Sequence, residues 1–137
     1  MTLTPAEADK ILAANFAPWV LDLGLTAVDL DEGRAMLRLP WSDRLAREGG
    51  ALSGQALMAA ADTATVIAVS AARGSFVPMT TVQQSTSFQR AVVDEDVLVE
   101  AVLTKLGRRM AFAEIAMTTA DSGELAARAS TVYALLG

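Results

Sequence analysis

Residues 49–73 read GGALSGQALMAAADTATVIAVSAAR, a small-residue turn that feeds a long apolar run. Its length and its wealth of Ala make the run a helix. Between Glu48 and Arg73 the only ionisable side chain is Asp62. A lone carboxylate in so apolar a setting is costly to bury as a charge, so it is paired, neutralised or at work. Asp62 is therefore the first candidate functional residue. The helix is apolar nearly all round, so a sheet can cover only part of it, and something else, most simply a second copy of the chain, must cover the rest.

On the N-terminal side, Thr4, Pro5 and Glu7 spell an N-cap, a proline at the first helical position and a capping-box partner. That spacing predicts a short helix to about Ala14, with Ile11, Leu12 and Phe16 on its buried side. Residues 20–31 alternate, Leu21, Leu23 and Leu25 against Asp22, Gly24 and Thr26, which predicts a half-buried strand. Asp31-Glu32-Gly33 is a turn, and residues 34–39 alternate again to complete a hairpin. Pro40 ends that strand, and residues 41–50 form a polar loop. Beyond the long helix, closed by Gly74, Ser75 and Pro78, four further strands are expected at 79–90, 96–106, 108–119 and 124–136. The last two are joined by the hairpin signal Ala120-Asp121-Ser122-Gly123. The strands exceed the usual length, which predicts a sheet that curves strongly or wraps something. The expectation is one α+β domain over 1–137, six antiparallel strands with one long helix on a single face and a short N-terminal helix.

At 137 residues the chain suits a single core. Hydrophobic residues make up 53% but aromatics only 5%, so the core is built from Ala, Val, Leu and Met, which favours association. A net charge of −5 argues against a nucleic-acid partner, which calls for a basic face. The apolar run carries Asp62 and several hydroxyls, which favours burial in protein over a membrane. The polar N-terminus lacks a signal-peptide pattern, so a cytoplasmic location is expected. Cys and His are both absent, which removes thiol nucleophiles, His-based triads and His or Cys metal sites. No cofactor is expected, and any catalysis falls to carboxylates, hydroxyls, backbone amides and water.

The segment Ser53-Gly54-Gln55 followed by an apolar run and Ala61-Asp62-Thr63-Ala64 resembles the signature of the hotdog-fold acyl-CoA thioesterases, in particular the phenylacetate-pathway type. That signature is His-Gly-Gly, an apolar run, then Leu-Ala-Asp-Thr-Ala, with the Asp nine positions after the His. Here the spacing is kept, while Ser53 stands for the His and Gln55 for the second Gly. Ser87-Phe88-Gln89-Arg90-Ala91 is similar to the family's Asn-Phe-Leu-Arg-Pro strand, and Leu106-Gly107-Arg108-Arg109 to its Gly-Arg-Arg hairpin. The resemblance implies a hotdog fold, a dimer or dimer of dimers, and hydrolysis of an acyl or aryl thioester. It also implies a Ser or Thr at the start of the strand after the helix that orients the water or carboxylate. Thr81 fits that place better than Thr80 when counted back from Phe88.

The physics of the motif points the same way. Gly54 sits at the helix start, where free amides and the positive end of the helix dipole can bind a developing oxyanion. Asp62 lies eight residues on, roughly 12 Å along the same helix. One thioester carbonyl cannot touch both. If both act on one substrate, the Asp must come from a second helix running the other way, making a two-fold dimer part of the mechanism. Asp62 would then be a general base on water or a nucleophile on the acyl carbon. The plain alternative is a carboxylate bonded to a buried hydroxyl. Gln55 either donates to a carbonyl or merely occupies an early helix position. Arg47 lies where related enzymes present an Asn, with Glu48 beside it as a dipole partner. Arg108 and Arg109, along with Arg73, Arg90 and Lys105, are candidates for coenzyme A phosphates or ordinary surface charge. Two function classes follow: a thioester hydrolase, or a non-catalytic module binding acyl-CoA or another apolar ligand. A hydratase is disfavoured by the lack of His.

Overall fold

The computed structural model describes residues 3–136. The N-terminal helix, α1 (Pro5–Asn15), opens on the reciprocal cap its sequence spells. Thr4 Oγ1 accepts from the Glu7 amide at 3.2 Å, and the Thr4 amide donates to the Glu7 carboxylate at 2.9 Å. Ala8 and Leu12 are its buried positions, while Ile11 and Phe16 are partly covered.

The strand expected over 20–31 begins only at Thr26. Pro18 has a fixed φ and no amide hydrogen, which suits it to start a helix, and a single turn follows as α2 (Pro18–Leu21). Gly24, at φ +75°, then swings the chain into β1 (Thr26–Asp31). The Leu21, Leu23, Leu25 alternation is thus not one strand face: Leu23 is buried and Leu21 exposed. The other elements lie where expected: β2 (Arg34–Leu39), the long helix α3 (Gly54–Arg73), β3 (Met79–Phe88), β4 (Val97–Leu106), β5 (Met110–Thr119) and β6 (Leu125–Leu135). Gly74, left-handed at φ +82°, caps α3 and donates its amide to the Ser70 carbonyl.

The strands form one antiparallel sheet in the order β1-β2-β4-β5-β6-β3. It wraps α3, which packs against all six strands. The helix presents Ala60, Ala61, Ala64 and Ala68, all fully buried, to a sheet face carrying Ala35, Leu37, Val99, Ala101 and Ile115. Small residues on both sides let the helix lie close to the sheet, and Ile67, Leu37 and Met117 supply bulk. Although α3 has the length and apolarity of a membrane span, most of it is buried inside this sheet.

That burial narrows what a second copy would have to cover. From Thr63 to Ala71 every residue of α3 is buried within the chain itself. On the N-terminal half a stripe stays open, Gln55, Met58, Ala59 and Asp62, spaced so that all four share one helix face. Beside this stripe runs β3, an edge strand whose outer ladder groups meet no strand among the described residues.

Candidate active site

Two separate openings flank α3. The first lies at its N-terminus. Ser53 is the N-cap, its Oγ accepting from the Ala56 amide at 3.2 Å. The amides of Gly54 and Gln55, ahead of the first intrahelical bond, have no acceptor among the described residues. Gly54 borders a cleft of about 420 Å³, lined also by Arg47, Leu52, Leu57, Phe88 and Arg90. Arg47 donates to the Glu48 carbonyl at 2.7 Å, and Arg90 pairs with Glu124 at 2.7 Å. Free amides, a helix dipole and two guanidinium groups suit this cleft to an oxyanion or another anionic group.

The second opening is centred on Asp62. Its Oδ1 accepts two hydroxyl bonds, from Thr81 Oγ1 at 2.8 Å and from Tyr133 OH at 2.6 Å. The same phenol lies 2.9 Å from the Asp62 carbonyl oxygen. Burial pushes the Tyr133 phenol above its ordinary range, and the neighbouring Asp62 charge and hydrogen bond push the same way. Tyr133 therefore stays protonated and acts as a donor. Asp62 itself is half-buried and borders an apolar groove of about 300 Å³ lined by Trp19, Gln55, Met58, Ala59 and Gln84.

A bulge makes this geometry. The register of β3 against β6 shifts between Thr81 and Gln83, leaving Val82 as the extra residue. Thr81 and Gln84 are an odd number of residues apart, so regular alternation would send them to opposite faces. With the bulge both reach α3: Thr81 bonds Asp62, and Gln84 Nε2 donates to the Met58 carbonyl at 3.1 Å. Phe88, on the Gln84 face, then lies over Gly54.

The residues singled out in the sequence thus fall into distinct places. Gly54 and Arg47 line the first cleft, whereas Ser53 precedes Gly54 as the N-cap, its hydroxyl engaged with the Ala56 amide. Gln55 is turned away from Gly54 and lines the groove of Asp62. Of the two threonines, Thr81 meets Asp62, whereas Thr80 is exposed and pairs with Ala134 in the ladder. Arg108 and Arg109 border a third hollow with Leu135 and Leu136. The Arg109 carbonyl accepts from the Leu135 amide, two residues beyond Tyr133, which places this hairpin toward the Asp62 end. Arg73 bonds the Gly107 carbonyl at 2.8 Å. Sequence reasoning missed Tyr133; the available signal was that it is the only tyrosine in the chain, set in an apolar strand. Among the described residues no cluster of acidic side chains could hold a metal ion.

The two openings share no lining residue. The chain thus carries an amide end and a carboxylate on one helix, held apart by about two turns.

Comparison with known proteins bears on what such an arrangement serves. The family model described as the thioesterase superfamily matches residues 49–126, more than half of the chain. Among curated proteins none matches the sequence. Solved structures do resemble it. Zebrafish thioesterase superfamily member 2 is similar with a TM-score of 0.86 and 24% identity, the match covering 98% of this chain and 100% of that one. The PaaI protein from the phenylacetic acid degradation operon of E. coli gives 0.82 and 16%, covering 97% and 96%. A hypothetical thioesterase from Streptococcus pneumoniae, solved with coenzyme A, gives 0.76 and 15%, covering 82% and 86%. At these identities the likeness is one of fold, the hotdog arrangement expected from the sequence.

Proposed function

The chain belongs to the thioesterase superfamily, and we propose that it hydrolyses acyl-CoA thioesters in a site assembled from two copies of itself. The observation that carries this reading is the Asp62 carboxylate, held on one oxygen by Thr81 and Tyr133 beside an apolar groove, on a helix whose free amide end opens elsewhere. In the proposed dimer, two α3 helices run antiparallel, so that Gly54 of one protomer meets Asp62 of its partner. The two-fold axis then passes near Met58, midway between them. Met58, Val82 and Phe88 are exposed large apolar side chains on this side of the chain, which supports burial by a second copy.

The chemistry follows from those positions. The thioester carbonyl oxygen points at the amides of Gly54 and Gln55. Asp62 of the partner takes a proton from water as the water oxygen attacks the carbonyl carbon. The resulting oxyanion is held by the amides and the helix dipole. Its collapse breaks the carbon–sulfur bond, and the departing thiolate recovers a proton from Asp62, leaving a carboxylic acid and free thiol. The apolar groove of Trp19 and Met58 receives the acyl or aryl group. Arg47 at the Gly54 cleft, and Arg108 and Arg109 in a hollow of their own, are the cations assigned to the coenzyme A phosphates in this reading. The neighbour solved with coenzyme A supports that choice of carrier.

The test is thiol release from a panel of acyl-CoAs by wild type and Asp62→Asn. Asn keeps the shape of the side chain and an oxygen for both hydroxyls, so the dimer should stay folded while turnover falls by about 10²- to 10⁴-fold, the usual worth of a general base. A variant with wild-type rates would remove Asp62 from the chemistry. A second reading, a non-catalytic acyl-CoA-binding module, draws on the capping role of Ser53 and the turn of Gln55 away from Gly54, which leave that cleft with backbone donors. Calorimetry that finds tight acyl-CoA binding by wild type without thiol release would favour it.

A further inference from the structure

The two oxygens of Asp62 have different surroundings. Oδ1 accepts from Thr81 and from Tyr133, whereas Oδ2 meets no donor among the described residues. Neither hydroxyl belongs to the lining of the groove that the carboxylate borders. We propose that Tyr133 is a positioning residue: with Thr81 it pins Oδ1 from behind, so that Oδ2 alone is presented to the nucleophilic water. This rests on the reading of Asp62 as the base.

Three observations carry it. Thr81 and Tyr133 are cross-strand partners in the β3–β6 ladder, so the two donors are fixed relative to each other by backbone pairing. Tyr133 is buried at 3% exposure among Val66, Val69 and Ala111, which leaves its ring no freedom to follow a rotating carboxylate. Its hydroxyl also reaches the Asp62 carbonyl, so one group ties both the backbone and the side chain of the same residue. Tyr133 is not itself a base, because its burial beside a carboxylate keeps the phenol protonated. Removing its hydroxyl frees the carboxylate to turn, and both oxygens then share the groove and the remaining Thr81 bond.

Tyr133→Phe deletes one oxygen and preserves the ring. The expected result is a 10- to 100-fold fall in kcat with KM within about twofold, since misplacing a reacting group costs on this order without touching substrate binding. A folded Tyr133→Phe protein with wild-type kcat, or one whose loss lies in KM and not in kcat, would overturn the proposal.

Because the chain has a single tyrosine, growth on 3-fluorotyrosine labels this position alone and leaves its bonds in place. The ¹⁹F resonance should then move when Asp62→Asn alters the group that accepts from the phenol, and an unmoved resonance would overturn the proposal even if the Phe variant failed to fold. Asp62→Asn assayed alongside separates the two claims. An active Asp62→Asn protein defeats the reading of the base, whereas an inactive one beside a wild-type-like Tyr133→Phe defeats only the clamp.

Discussion

Gly54→Ala adds one methyl group where the proposed oxyanion site begins. Its Cβ would lie 3.3 Å from Phe88 Cζ and 3.4 Å from Cε1, inside the roughly 3.5–4.0 Å at which carbon atoms rest. The ring must withdraw by a few tenths of an ångström. It can do so, since the contact is with the far end of a side chain and not with backbone. Gly54 has no left-handed φ to protect, and alanine is the better helix former by up to ~1 kcal/mol, less at a first position. Crowding and propensity therefore nearly cancel, and stability should change by no more than about 1 kcal/mol. Catalysis has no such compensation, because the displaced ring and the new methyl crowd the approach to the Gly54 and Gln55 amides. A fall of 10- to 100-fold in kcat/KM is expected, about 1.4 to 2.7 kcal/mol of transition-state stabilisation. The assay pairs a thermal melt with thiol release. Unchanged stability together with unchanged kcat/KM would refute the placement of the reacting carbonyl at this helix end.

Two further outcomes follow from other parts of the chain. The Asp96 carboxyl is held below the usual carboxylate range by the Trp41 amide and by Arg38. Its stabilisation is present above the unfolded value of about 3.9 and is lost as pH falls through the lower folded value, so Asp96→Asn should lower the melting temperature at pH 7 and flatten its decline between about pH 5 and pH 2. Val82, the bulged residue of β3, is 58% exposed in the single chain, so Val82→Asp should leave the fold intact while sedimentation shows monomer in place of the dimer proposed for wild type.

Much of the fold is written in local signals. The capping box at Thr4 and Glu7, the turns at Gly33 and Gly123, and the left-handed Gly74 each act over a few residues, and each is found where the sequence places it. The apolar run around Asp62 is legible because a lone charge there stands out. Residues 20–31 misled because three leucines in alternation outweigh one Pro18 and one Gly24 only until backbone geometry is considered. The site is harder to read, since its parts are distant in sequence. Tyr133 meets Asp62 across 71 positions, and no local pattern announces that contact. The bulge at Val82 is likewise set by the pairing of β3 with β6, and without it the choice between Thr80 and Thr81 rests on counting alone. Gln55 follows Gly54 directly, yet the helix turns about 100° per residue and carries it to the other groove.

The central claim is that Gly54 and Asp62 act together only across a pair of chains, and mixing two disabled variants tests it directly. Co-expressed Gly54→Ala and Asp62→Asn chains pair at random, so about half the dimers contain one of each, and each mixed dimer has one site with both an intact Gly54 and an intact Asp62. The mixture should recover about one quarter of the wild-type rate per chain, well above the sum of the two variants alone. Activity no greater than that of the separately prepared variants would place both residues in a single-chain site and contradict the account.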